Sequence, residues 1–147
     1  MSYDDLFELL DRHLAAENAH DLAGTLATLT DDCEFVDHAL GLRWSGHDGA
    51  AQHYTMWWTA FDIEVVGERL HMAEASAVAE TTWKGTHVGE FMGISPTGKS
   101  VELTVAVVVE FRDGRMAGER FYWDVAGLAR QLGVNTIVAA TPEAGPR

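Results

Sequence analysis

Three aromatic residues run directly into a carboxylate at Phe121-Tyr122-Trp123-Asp124. An anion is poorly solvated in an apolar setting, so burial raises a carboxyl pKa toward neutrality, where the group can both take and give protons. That is general acid/base chemistry, and Asp124 is the expected catalytic residue. Two further groups suit the same work. The ring of His87 titrates near neutral pH and can hydrogen-bond a substrate oxygen. Asp37 stands beside His38 at the end of a short apolar run.

Strand parity sorts these groups onto faces. Asp124 shares parity with Tyr122 and Arg120, whereas Phe121 and Trp123 point the other way. If the Asp124 face lines a pocket, the two aromatics need their own cover, and a second copy of the chain would provide it. Asp124 also directly precedes a helical pattern, where Asp is a favoured N-cap. His87 has a structural reading too, tying down the glycine-rich loop from Gly93 to Gly98. Asp37 shares parity with Phe35 and is expected inward, or else as an exposed residue starting a turn. His38 would enter a pocket only through a bulge. Tyr54, Trp57 and Phe61 form one helical stripe of core residues. With Trp83 they would wall an aromatic pocket. His53 is expected on the helix surface, and His13, His20, His47 and His71 show no pairing.

The elements that must hold these groups follow from periodicity. Tyr3 to Asn18 reads as an amphipathic helix behind a Ser2 cap, with Leu6, Leu9, Leu10 and Leu14 recurring at helical spacing. Asp21 opens a shorter helix to Leu29. Cys33 to His38 is a strand, and Leu40 to Gly46 a loop with two glycines. Asp48 to Phe61 is a third helix. Strands follow over Ile63 to Met72, Ser76 to Val88, Ser100 to Arg112 and Met116 to Asp124. Asp113-Gly114 supplies the last hairpin turn. Val125 to Leu132 is a short helix stopped by Gly133. Helices followed by a run of antiparallel strands make an α+β fold. A curved, mostly antiparallel (mixed) sheet wrapped on three helices of the N-terminal half would form a cone-shaped barrel with an internal pocket. Residues 1–133 are expected as a single domain, with 134–147 a frayed tail.

Composition narrows the function. The chain has 147 residues, with 10 basic and 23 acidic side chains and a formal charge of −13. Such a surface disfavours nucleic acid and anionic membranes as partners. No apolar run is long enough to span a bilayer. The acidic start opens directly into a helix pattern rather than a signal peptide, and the single Cys33 fits a reducing cytoplasm. Among Asp31, Asp32 and Glu34, that thiol is a weak nucleophile. No dinucleotide, nucleotide or nucleophile-elbow motif occurs. No metal-ligand spacing occurs either, so no cofactor or metal is expected.

The run Gly85-Thr86-His87-Val88-Gly89-Glu90-Phe91-Met92-Gly93-Ile94, the turn Pro96-Thr97-Gly98-Lys99, the hairpin Asp113-Gly114-Arg115, and the endings Phe121-Tyr122-Trp123-Asp124 and Gln131-Leu132-Gly133 resemble the SnoaL-like polyketide cyclase branch of the nuclear transport factor 2-like superfamily. The resemblance spans roughly residues 3 to 133. It implies a cone with a deep pocket, usually a homodimer, and no required cofactor. In those cyclases an Asp at the end of the last strand is the acid/base of an aldol ring closure, and it matches Asp124. Their supporting His on a neighbouring strand has no counterpart in Ser100 to Arg112, whose polar groups include Glu102, Thr104 and Glu110. The resemblance therefore implies a hydrophobic polyketide-like substrate, with Asp124 moving the proton and His87, Asp37 and Tyr122 orienting it. Two alternatives remain. One is epoxide opening by Asp124, Arg120 and Asp37, as in the limonene epoxide hydrolase branch. The other is a ligand-binding protein without chemistry.

Overall fold

The computed structural model describes residues 1–139. Helix α1 (Tyr3–Asn18) starts at a reciprocal capping box between Ser2 and Asp5. That box satisfies two backbone donors that a helix start otherwise leaves open. Helix α2 (Leu22–Ala27) starts on the Asp21 cap. Strand β1 (Leu29–Asp37) leads to β2 (Leu42–Ser45), and α3 (Gly46–Phe61) follows. Strands β3 (Glu64–Met72), β4 (Ser76–Thr86), β5 (Ser100–Arg112) and β6 (Arg115–Trp123) then build the sheet, and α4 (Val125–Leu132) closes the order.

The six strands lie in the order β2-β1-β6-β5-β4-β3. All neighbours are antiparallel except β1 and β6, which run parallel. The sheet is mixed, and it curves without closing. Register shifts in the β1–β6, β3–β4 and β5–β6 pairs bend it, as bulges do. Gly118 makes the parallel pairing possible: a Cβ there would stand 2.1 Å from the carbonyl oxygen of Glu34.

The concave face holds the core. Tyr54, Trp57 and Phe61 project from α3 onto Phe35, Trp83, Val105 and Phe121. Each such ring contributes on the order of 2–3 kcal/mol by leaving water. His53, expected on the surface, is instead buried and stacks on Phe121 at 4.6 Å. It lies on the sheet-facing side of α3, three residues after Ala50 and four before Trp57.

Several elements differ from the sequence expectation: α2 ends at Ala27 rather than Leu29, and β1 begins at Leu29 rather than Cys33. β2 occupies part of the expected loop, because four residues between two glycines are too few to show a period. β4 stops at Thr86 rather than continuing to Val88. The backbone N–H groups of Val88 and Gly89 donate to Ala60 O instead of to a strand. Beyond α4, Ile137 packs into the core. The rest of the expected tail, from residue 140, lies outside the described residues.

Candidate active site

A cavity of about 370 Å³ opens between α1 and the concave side of β3 to β6. Its wall is mostly apolar, including Leu10, Leu14, Trp83, Val107 and Met116. Six titratable groups interrupt that wall: Asp11, His13 and Glu17 from α1, Glu68 and Arg69 from β3, and Glu119 from β6; of these, His13, Glu17 and Glu119 cluster together. His13 follows Leu6 and Leu9 on the buried side of α1, and Glu17 is one turn further along. Glu119 shares strand parity with Phe121 and Trp123, so it enters with them.

These groups form one hydrogen-bonded chain. The Tyr54 hydroxyl donates to Glu119 Oε1 at 2.5 Å. His13 Nε2 lies 3.2 Å from the Tyr54 oxygen and 3.5 Å from Glu119 Oε1. His13 Nδ1 lies 2.7 Å from Thr28 Oγ1. Glu17 stands apart. Its nearest cation is His13 Nε2 at 4.0 Å, and its side chain is 13% exposed, toward the cavity.

Position separates the two carboxyls. Burial pushes Glu17 up to about 7, and the charge of His13 only partly offsets it. Burial also acts on Glu119, but the hydrogen bond and charge of His13, with the Tyr54 hydroxyl, outweigh it and hold this carboxyl below its ordinary value. The converse holds for His13. Burial opposes its charge, yet Glu119 and Glu17 lift its pKa above the usual imidazole range. Burial and the same carboxylates drive the Tyr54 phenol well up, so it remains a donor. The cavity therefore sets an imidazole whose charged form is favoured against a carboxyl whose anion is favoured, beside a third group, Glu17, poised near neutrality between its two states.

The model of the SnoaL-like polyketide cyclase family matches residues 7–132. The chain belongs to that family. Solved structures share the fold of this SnoaL-like chain. TsrD from Streptomyces laurentii is 25% identical, with TM-score 0.79, over 90% of this chain and 98% of its own. AclR from Streptomyces galilaeus, a candidate hydroxylase, is 24% identical, with TM-score 0.78, over the same shares. A Catenulispora acidiphila protein with a ketosteroid isomerase-like fold is 15% identical, with TM-score 0.73, over 86% of this chain and 93% of its own. No curated protein sequence matches significantly. This SnoaL-like fold is one that carries small-molecule cyclase and isomerase chemistry.

The SnoaL-like chain distributes the expected residues over three places. Asp124 is at the sheet's end, where it caps α4 by accepting from Gly127 N and pairs with Arg130. Its side chain is 68% exposed. An open cleft of about 450 Å³ passes beside it, lined also by Glu102, Thr104 and Gln131. Tyr122 and Arg120 lie on the outer, convex face, opposite to the expectation. Tyr122 stacks on His38 at 4.6 Å, and Arg120 pairs with Glu110 at 3.0 Å. Phe121 and Trp123 took the inner face because burying two large aromatics outweighs placing a phenol and a guanidinium there.

Asp37 does point inward, as its parity with Phe35 indicates, and it is buried. Its carboxylate accepts from Trp123 Nε1 at 3.0 Å and Leu40 N at 2.8 Å. Burial raises its pKa despite these bonds. Asp37 and Arg120 stand on opposite faces of the sheet, so Asp124, Arg120 and Asp37 do not converge. His87 Nδ1 accepts from Thr97 N at 3.1 Å, which ties the loop after β4 to that strand. Trp83 reaches the cavity wall, with its ring edge-on to Trp57 at 5.1 Å.

His13, Glu17 and Glu119 do carry a sequence signal. His13 continues the Leu6–Leu9 stripe with helical spacing, and Glu17 follows it at i+4. Glu119 shares its parity with Phe121 and Trp123. Polar groups set within an apolar face mark a pocket more reliably than a carboxylate at a helix start, where capping alone accounts for the residue.

Proposed function

We propose that this protein is a cofactor-free acid/base enzyme acting on an uncharged hydrophobic carbonyl compound, with Glu17 as the base and His13 as the electrophile. One observation carries this reading: in a single cavity Glu119 accepts from Tyr54 and lies 3.5 Å from His13, whereas Glu17 has only His13 at 4.0 Å and faces open space, which pushes the pKa values of these two carboxyls apart. Such divergence assigns acid/base roles. The excess of carboxylates disfavours anionic substrates.

The step begins when a carbonyl oxygen replaces the Tyr54 oxygen as the acceptor from His13 Nε2–H. The Glu17 carboxylate takes the proton from the adjacent carbon. The C–H electron pair becomes the enolate double bond, and the carbonyl π electrons move to oxygen. The imidazolium, held by Glu119 and Tyr54, stabilises that charge in a dry site. The enolate carbon then attacks a second carbonyl in a ring closure, the resulting alkoxide taking the proton from Glu17, or the enolate regains that proton at another carbon in an isomerisation. Asp124 is solvated and engaged in capping, which favours Glu17 over it. For epoxide opening, the separation of Asp37 from Arg120 offers no support.

The test is deuterium uptake from D₂O at the α-carbon of apolar ketones and diketones, followed by NMR. Glu17→Gln should slow catalysed exchange by roughly 10²–10⁴-fold, the usual contribution of a general base. Undiminished exchange in that variant would remove Glu17 from the mechanism.

A further inference from the structure

We propose that Thr28 is a positioning residue that fixes the proton geometry of His13, holding a proton on Nδ1 and leaving Nε2 as the ring atom that exchanges protons with the cavity. Its catalytic meaning rests on the acid/base reading above; the tautomer itself does not.

A threonine hydroxyl has one proton to give. Thr28 Oγ1 lies 2.6 Å from the carbonyl oxygen of Thr25, which can only accept, so the hydroxyl proton is committed there. This carbonyl belongs to the last turn of α2 and accepts from the Thr28 backbone N–H as well, at 3.2 Å, so both Thr28 donors converge on it. His13 Nδ1, 2.7 Å from the same hydroxyl oxygen, must then donate. Thr28 is buried and so is His13, so water does not compete for either bond.

The other side of the ring obeys the same logic. The Tyr54 proton goes to Glu119, so the Tyr54 oxygen accepts from His13 Nε2 when that atom is protonated. Four parts of the chain thus face the ring: the C-cap of α2 through Thr28, α3 through Tyr54, β6 through Glu119 and α1 itself through Glu17. Only the Nε2 side meets the titratable groups of the cavity. Loss of the Nδ1 proton would set two lone pairs against each other in a buried site, a costly arrangement. Loss of the Nε2 proton leaves an acceptor that the Tyr54 hydroxyl, 3.2 Å away, can meet by turning its proton from Glu119 to the ring. The neutral ring is therefore held as the Nδ1–H tautomer, the one histidine disfavours in water.

The experiment is nitrogen-15 NMR of the histidine rings in the full chain without ligand, with His13 assigned by difference against His13→Gln. Above its titration midpoint, wild-type His13 should show a protonated Nδ1 and an unprotonated Nε2. Thr28→Val keeps the side-chain shape and removes the acceptor. It should move the neutral ring to Nε2–H and lower the midpoint by roughly one pH unit, the difference between losing a charged and a neutral hydrogen bond. Thr28→Ser should restore both. A neutral wild-type ring protonated on Nε2 would overturn the proposal, as would an unchanged tautomer in Thr28→Val. If Thr28→Val does not fold, the wild-type and Thr28→Ser spectra decide alone. The spectra contain no substrate, so they stand apart from the exchange assay on Glu17→Gln.

Discussion

The hydroxyl of Tyr54 donates to the carboxylate of Glu119 at 2.5 Å, joining the middle of α3 to the middle of β6 inside the core. Neither group is solvated, so each depends on the other. Tyr54→Phe should cost about 1–3 kcal/mol in unfolding free energy, because a buried carboxylate loses a donor without regaining water. It should also raise the Glu119 pKa. Chemical denaturation with carboxyl carbon-13 NMR measures both. An unchanged Glu119 titration would show that the bond does not stabilise the anion.

Glu17 and His53 give opposite pH slopes to stability. Burial raises Glu17 to about 7, so the folded state binds more protons than the unfolded state from roughly pH 4.5. Its contribution is fully present below that window and is lost as pH rises through it. Burial lowers His53 to about 4, so its contribution is present above the unfolded value near 6.5 and is lost as pH falls. Between about pH 4.5 and 6.5 the two largely cancel. Glu17→Gln should therefore gain on wild type as pH rises from 4.5 to 7, by on the order of 2–3 kcal/mol. Denaturation curves of both proteins across that range measure the difference, and a flat difference would refute the raised Glu17.

Asp124 should matter to the fold and little to turnover. Asp124→Ala removes the cap on α4 and should cost about 1 kcal/mol. Asp124→Asn keeps an accepting side chain and should cost less. Both should catalyse α-carbon exchange within a few-fold of wild type. A thousand-fold loss in Asp124→Asn would return the chemistry to the sheet's end.

Cys33 should resist thiol reagents in the native state. It is fully buried, and burial, then the charges of Glu119, Glu34 and Asp32, push its thiol up to about 11. Labelling by a disulfide reagent at pH 8 should proceed only at the rate of opening, and denaturant should accelerate it. Rapid native labelling would mean that β1 opens locally.

Much of the fold was legible because its signals are local. The Ser2 and Asp21 caps, the α3 stripe of Tyr54, Trp57 and Phe61, the Asp113-Gly114 turn and the Gly133 stop each follow from neighbouring residues. The parallel pairing of β1 with β6 was not legible, since it joins residues some 80 positions apart without a sequence mark. The groups that face the cavity were not legible for a related reason. Parity places Tyr122 opposite Phe121, but does not say which face is concave. Two large aromatics against one phenol decide it, and Glu119 follows them inside. His13 looked unpaired because Thr28, Tyr54 and Glu119 come from three other elements.

The parallel junction of β1 with β6 also bears on how the molecule assembles. β6 is the last strand in sequence but sits inside the sheet, between β1 and β5. During synthesis, β1 and β2 have no bridge to the β3–β5 meander until residue 123 has left the ribosome. Until then α3 covers two disconnected sheet fragments, with Phe35 and Val105 both short of a neighbour. The search that closes this gap spans most of the chain, so loop-closure entropy delays the native core to the final step. A chain truncated before Arg115 would be left without a nucleus and prone to aggregate.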